Sequence, residues 1–283
     1  MSVPAPSSTT VFIAAISSDI GQAMARICRT RGWQVIGTCR NPDALGPLVA
    51  DQGISLIPCD VTVPSQVDAV AHTLKERNVV WDIFVSAVGQ LAPIGPFFET
   101  ERRQWLHSVA LNGAAQLALL HAIHPFRRAQ PLARVAFLVG GAINRAFSNY
   151  SAYSLGKIDL VKFCELIHNE CHDIHAVAVG TGWVATKIHR QTIEAGHLAG
   201  ENLAQTEDFL RNGEAGTSVA DIMACLDWCF AQDRDVTGGR NFSVVHDPWR
   251  DGGAALVEQL RRDVDKFKLR RHANAVSASN ATA

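Results

Sequence analysis

The sequence predicts an α/β fold: a single doubly wound parallel sheet of about seven strands, with helices on both faces. Three observations predict it. Short apolar runs alternate with longer segments of helical periodicity along most of the 283 residues. Such alternation requires parallel pairing through right-handed crossovers. No composition shift or internal repeat divides the chain, and 47% hydrophobic against 19% charged residues allows one sizeable core.

The elements follow in order. Residues 11–16 form a short apolar run, followed by a helical pattern from Ile20 to about Arg31. Residues 34–38 and 54–58 give the second and third strands, the latter ending in Asp60, and 67–77 is helical. Residues 82–86 give the fourth strand. From 101 to 128 the pattern is helical and Ala/Leu-rich, with a break expected at Asn112-Gly113. The fifth strand is 133–139, a long helix covers 151–172, and the sixth strand is 174–179. Residues 219–231 are helical and 241–245 form the last strand. The core domain is thus expected over 11–247, after a flexible tail at 1–10. The polar, Gly-containing stretch 189–216 interrupts the alternation and reads as a lid over a substrate. A charged extension with one helix occupies 248–283, its last residues expected to be disordered.

The formal charge of −1 shows no basic excess, which argues against a nucleic-acid surface. No apolar run has the length of a membrane span. The start lacks a basic n-region and a long apolar stretch, so the expected location is the cytoplasm. Seven scattered cysteines without a Cys-x-x-Cys pair read as reduced core thiols. His168 and His172 lie at a spacing that can bind zinc on a helix, but without a further ligand cluster no metal is expected.

Two groups of residues carry chemistry. After the first strand comes Ala14-Ala15-Ile16-Ser17-Ser18-Asp19-Ile20-Gly21. A strand, a tight turn and a helix start make a cradle of backbone N–H groups for a pyrophosphate. Asp19 and Gln22 have capping-box spacing. Arg40 follows the second strand with Cys39, not an acid, before it. An acid there would hold the ribose 2′-hydroxyl of NAD, whereas an arginine suits the 2′-phosphate of NADP. A surface ion pair with Asp43 is the plainer alternative for Arg40. The second group is Tyr153-Ser154-Leu155-Gly156-Lys157, a Tyr-x-x-x-Lys whose i, i+4 spacing puts both side chains on one helix face. An ammonium beside a phenol favours phenolate, and the tyrosine could then exchange a proton with a substrate oxygen.

With these landmarks in this order, roughly from Val11 to Asp247, the chain resembles the classical short-chain dehydrogenase/reductase family and its Rossmann-type fold. Ala14 and Ala15 match the first two residues of the family's Thr-Gly-x-x-x-Gly-x-Gly turn, Asp19 its middle glycine and Gly21 its last. Cys59-Asp60-Val61-Thr62 looks like the segment that binds the adenine. Val85-Ser86-Ala87-Val88-Gly89 stands where the family has Asn-Asn-Ala-Gly, and Thr181-Gly182-Trp183-Val184-x-Thr186 resembles the stretch at the nicotinamide end.

The resemblance implies an NADP-dependent oxidoreductase, with NAD the less favoured cofactor, acting on a carbonyl or alcohol of a small organic molecule. Tyr153 and Lys157 would be catalytic. Ala15, Ser17, Ser18, Ile20, Gly21, Arg40, Asp60, Val61, Ser86, Ala87, Val88, Tyr153, Lys157, Gly182, Val184 and Thr186 would bind the cofactor. It implies a homodimer or homotetramer paired through the helices of 112–128 and 151–172. The chain departs from the pattern at two catalytic positions. The serine thirteen residues before the tyrosine is replaced by the Gly140-Gly141 pair, and the asparagine of Val-Asn-x-x-Gly falls on Ala110. Asn112, two residues on, is turned about 200° away on a helix and is not expected to replace it. Asp19 is expected to weaken the cofactor's hold by repelling its phosphates. These losses leave two alternatives open: a cofactor-binding regulator without turnover, and a non-redox lyase on the same fold.

Overall fold

The computed structural model describes residues 9–130, 132–212 and 216–271. Most of the expected tail at 1–10 and the end of the C-terminal extension lie outside the described residues. The elements run β1 (Thr10–Ala14), α1 (Asp19–Thr30), β2 (Gln34–Cys39), α2 (Gly46–Val49), β3 (Ile54–Pro58), α3 (Pro64–Glu76), β4 (Ile83–Ser86), α4 (Arg102–Asn112), α5 (Ala114–Ile123), β5 (Ala133–Val139), α6 (Ser151–Glu170) and β6 (Ile174–Gly180). They continue with α7 (His189–Ala195), α8 (Glu201–Arg211), α9 (Val219–Ala231), α10 (Arg234–Thr237), β7 (Asn241–Ser243) and α11 (Ala254–Arg262). The seven strands form one sheet in the order β3-β2-β1-β4-β5-β6-β7, and every pairing is parallel. All strands therefore end on the same edge, and the order reverses between β1 and β4. Open α/β sheets bind ligands at such a point.

Alternation along the strands builds two cores. Ile13, Val35, Val85, Leu138 and Val179 face α1 and α9, whose Met24, Cys28, Ile222, Cys225 and Leu226 are buried against them. Their neighbours Phe12, Ile36, Phe84, Phe137 and Ala178 face α3, α5 and α6 through Val70, Leu119, Ile123, Leu160 and Cys164. Because successive strand residues point to opposite faces, near-continuous apolar runs are what a sheet covered on both sides requires. Six of the seven cysteines are buried, and all are free.

Close approach of α4 to α6 rests on two glycines. A Cβ on Gly156 would lie 2.6 Å from the Cβ of Asn112 and 2.8 Å from the carbonyl of Val109. One on Gly113 would meet the Asp159 carboxylate at 2.6 Å and the Gly156 carbonyl at 2.9 Å. The helical segment bends by 41° at Gly113, where the sequence predicts a break. No single helix among the described residues is long and apolar enough to cross a membrane.

One boundary changes: the last strand ends at Ser243, two residues early. The polar, Gly-containing stretch 189–216 is largely helical, as α7 and α8. Its few apolar residues suffice because they share one small core with Leu91, Ile94 and Tyr150, to which Ile188, Ala195, Ala199 and Leu203 contribute. The extension beyond 247 carries one helix, α11, and is fastened up to Arg271. The Asn241 N–H donates to the Phe267 carbonyl at 2.9 Å, covering the edge of β7. Arg270 pairs with Glu165 of α6 at 2.6 Å.

Candidate active site

Parallel strands bring the sequence-selected residues together without further assumption. Ala15 follows β1, Arg40 β2, Asp60 and Val61 β3, Ala87 and Val88 β4, Gly140 β5 and Gly182 β6, all at one edge of the sheet.

At the β1–α1 turn, Ala15 adopts a left-handed backbone with φ of 58°, which glycine would take without strain. Gly21 is required by space. A Cβ there would lie 2.5 Å from the Ala15 carbonyl and 2.8 Å from the Ile16 Cα. The helix cap differs from the capping box that the spacing suggests. Ser18, not Asp19, is the N-cap, its Oγ accepting the Gly21 N–H at 3.0 Å, and Gln22 donates to the Ser17 carbonyl at 3.2 Å. A serine two residues before Ile20 competes with the aspartate for the same role, and cap preference alone does not separate them. Asp19 instead reaches across the groove. Its Oδ2 accepts the backbone N–H of Lys187 at 2.6 Å. Ile20 packs against the core.

At the end of β2, Cys39 is buried and Arg40 exposed. The alternative pairing of Arg40 with Asp43 does not form, and Arg40 has no ion pair among the described residues. Burial alone would raise the Asp60 carboxyl, yet the Thr62 hydroxyl at 2.7 Å and N–H at 2.9 Å, helped by the charge of Arg40, hold it below the usual range. The buried Ser86 hydroxyl donates to Gln116 Oε1 at 2.6 Å. The Ala87 N–H donates to the Ala14 carbonyl at 3.0 Å. Gly182 has φ of 70°, and Val184 is buried with its carbonyl 2.9 Å from His189 Nε2. Thr186, half-buried, stands just before Lys187.

Tyr153 and Lys157 share a face of α6, with Lys157 Nζ 5.8 Å from the Tyr153 ring centre. Lys157 is buried and donates to the carbonyls of Val88 at 2.8 Å and Leu138 at 2.9 Å, which tie β4 and β5 to the helix. The expected lowering of the tyrosine by the lysine is absent here. Burial pushes Tyr153 up to about 12 and Lys157 down to about 7. Both changes have one cause: a site that takes charge out of water favours the neutral form of each group. Burial thus works against the charged form of both groups, and the lysine stabilises phenolate less than an exposed ammonium would.

Comparison with known proteins is consistent with this geometry. Residues 14–238 match the family model described as enoyl-(acyl carrier protein) reductase. The short chain dehydrogenase pigC of Monascus ruber is 24% identical over 191 residues, covering 68% of this chain and 60% of that protein. An NADPH-dependent pterin aldehyde reductase of Arabidopsis thaliana is 35% identical over 86 residues, or 29% of this chain and 36% of that protein. In both, the match spans less than two thirds of the relative's length. The crystal structure of the KRED1-Pglu enzyme superposes with a TM-score of 0.74 at 18% identity, covering 83% of this chain and all of that one, and so shares the fold. The chain belongs to the short-chain dehydrogenase/reductase family.

Two positions singled out in the sequence have distinct surroundings. A Cβ on Gly140 would lie 2.6 Å from the Tyr153 hydroxyl, whereas one on Gly141 would meet nothing within 4 Å. Gly140 has φ of −117°, so backbone conformation allows a side chain there, and one would have to shift the Tyr153 hydroxyl. On α4 the outcome reverses the sequence reading. Ala110 is exposed, and Asn112 is fully buried. Asn112 accepts the Gln90 N–H at 3.0 Å and donates to the Gln90 carbonyl at 2.8 Å. The 200° rotation between the two residues is real, but it is Asn112 that faces the sheet. Asn112 thus braces the loop whose Val88 carbonyl receives Lys157. A polar residue directly before a helix-bending glycine was the available signal. Gln116 was missed as well; it donates to the Asn112 carbonyl at 2.9 Å and accepts from Ser86.

Proposed function

We propose that this family member is an NADP-dependent oxidoreductase that moves hydride between the cofactor and a carbonyl or alcohol carbon of a small organic molecule. The observation that carries the reading is that the Tyr153–Lys157 helix face and the pyrophosphate-type turn lie at the same sheet edge, with Lys157 bonded to the Val88 carbonyl of the loop after β4, the strand next to β1. The residues present fit a dinucleotide. Gly21 keeps the backbone open where a Cβ would collide, and Arg40 is exposed at the end of β2, with no ion pair among the described residues and only the charge of Asp60 nearby. Ser17, Ser18, Ile20 and Gly21 would hold the pyrophosphate, Arg40 a 2′-phosphate, and Asp60 with Val61 the adenine. Ser86, Ala87 and Val88 would line the middle of the groove. Gly182, Val184 and Thr186 would meet the nicotinamide, and Lys157 the adjoining ribose.

When bound, the nicotinamide supplies or accepts the hydride. The chain's own part is proton transfer and positioning. The Tyr153 hydroxyl donates a proton to the carbonyl oxygen during reduction and takes it back during oxidation. With its proton held up to about 12, Tyr153 stands as a general acid at neutral pH, which suits reduction. The α7–α8 insert acts as a lid, since Gln191 Oε1 accepts the N–H groups of Leu91 at 2.8 Å and Ala92 at 2.9 Å and holds the insert over the groove. The exposed Leu155 and Leu166 of α6 support pairing into a homodimer or homotetramer in which this helix takes part.

Fluorescence titration with NADPH and NADH tests the cofactor assignment. NADPH binds more tightly in the parent chain, and Arg40→Asp reverses the order by about tenfold, the scale of one charge-assisted contact. Equal affinities in the parent overturn the NADP assignment. Binding of neither cofactor overturns the oxidoreductase reading.

A further inference from the structure

We propose that Lys187 is a positioning residue for the dinucleotide, and that it makes an aspartate tolerable at the mouth of the cradle. The inference rests on the dinucleotide reading above. Position 19 lies in the first turn of α1, where the helix presents its positive end and where an incoming phosphate must approach. An uncompensated carboxylate there would add negative charge beside two phosphates, and glycine in the family pattern avoids this.

The structure shows that the carboxylate is not left alone. Asp19 Oδ2 accepts the Lys187 N–H at 2.6 Å, Lys187 Nζ lies 3.7 Å from Oδ1, and the same Nζ donates to the Ser17 carbonyl at 2.9 Å. Lys187 therefore touches the residues on both sides of the capping Ser18. The bonds join segments 168 residues apart, closing the groove between the β1–α1 turn and the stretch after β6.

The exposure of the pair decides what it does. Asp19 is 38% and Lys187 56% exposed, so the ion pair adds little to folding stability. Its effect is local: it cancels a charge where an anion binds, and it fastens the root of the insert. Beyond that root the insert is held by Gln191 on the loop after β4 and by Thr192, 3.0 Å from the Tyr150 hydroxyl. The clasp is the one of these three anchors that lies on the cradle, so cofactor binding and insert position are coupled through it.

A charge-deletion cycle tests this with NADPH titration. Lys187→Met leaves Asp19 unneutralised and lowers affinity about tenfold, the scale expected for one unpaired charge near a dianion. Asp19→Asn alone binds at least as well as the parent. The pair Asp19→Asn with Lys187→Met recovers the parent's affinity. If the double variant stays as weak as Lys187→Met, the lysine acts on the phosphate itself and the proposal is overturned, as it is if Lys187→Met has no effect. Hydrogen exchange across residues 187–199 reads the anchoring without any ligand. Asp19→Ala removes both acceptors and speeds exchange there several-fold; unchanged exchange overturns the anchoring. Failure of the parent to bind either cofactor removes the dinucleotide reading alone, and the exchange arm still decides the clasp.

Discussion

The two halves of the groove answer sequence change in different ways. In the cradle, two polar residues that stand at glycine or asparagine positions of the resemblance have side-chain partners across distance. Asp19 has Lys187, and Ser86 has Gln116. At the chemical end, Gly140 stands where the resemblance expects a serine, and no side chain occupies that position. The space at Gly140 is filled by the Tyr153 hydroxyl itself, close enough that a Cβ would stand 2.6 Å from it. Substitution in the cradle is compensated by new bonds and keeps the cradle's shape. A glycine beside Tyr153 leaves room that the tyrosine hydroxyl occupies, so a change there falls on chemistry. The difference teaches that a lost polar residue is harmless or not according to what moves into its volume.

The largest expected effect breaks the comparison at its chemical half. Tyr153→Phe removes only the hydroxyl, and turnover on the true substrate falls on the order of a hundred- to ten-thousandfold, the usual share of general acid–base catalysis. NADPH affinity stays unchanged because the cradle does not depend on that oxygen. Steady-state kinetics with a carbonyl panel, beside a binding titration, checks both. Full activity in the variant would mean that Tyr153 is not the proton donor.

A smaller effect sharpens the comparison at Gly140. The sequence alone suggests that a serine there restores a missing donor. The structure points the other way, since any Cβ displaces the tyrosine. Gly140→Ala and Gly140→Ser both slow turnover by about tenfold or more, because ångström-scale misplacement of a reacting group costs on this order. Gly141→Ser, with open space around it, leaves the rate unchanged. A serine variant faster than the alanine variant would show that the hydroxyl helps even in a displaced site.

The fold was legible because its signals are local and repeated. Strand runs 54–58 and 133–139 and the helix at 219–231 were placed to the residue by period and length. Tyr153 and Lys157 were legible because four residues of helix put them together. What escaped was pairing across distance. Asp19–Lys187 spans 168 residues and Ser86–Gln116 spans 30, and neither leaves a pattern in its own neighbourhood. Asn112 was set aside for another reason. Helical periodicity says that Ala110 and Asn112 oppose each other, but which of them faces the sheet is set by the close crossing of α4 and α6 at Gly113 and Gly156.

The smallest effect concerns stability, and it separates the two halves by their charge. The Asp19–Lys187 pair is solvated, whereas Lys157 is 3% exposed and has no carboxylate within ion-pair distance among the described residues. Burial lowers Lys157 from an ordinary value of 10.5 to about 7. Between those values the unfolded chain holds a proton that the folded chain has released, so folding gains stability as pH rises from about 7 and loses it as pH falls back. Tyr153 acts higher and in the opposite sense. Its proton is held to about 12 against an ordinary 10, so its contribution is lost as pH rises through that range. The buried thiols of Cys28 and Cys59, raised from 9.0 to about 11, likewise oppose stability only as pH climbs above about 9. Between pH 7.5 and 8.5 the remaining groups titrate alike in the parent and in a Lys157 variant, so the difference between them reads the lysine. Across that interval, urea unfolding of the parent gains stability relative to Lys157→Met by about 1 kcal/mol, close to one proton per pH unit. Parallel pH dependences in the two proteins would mean that Lys157 remains charged in the folded state, and that its two carbonyl bonds compensate for its burial.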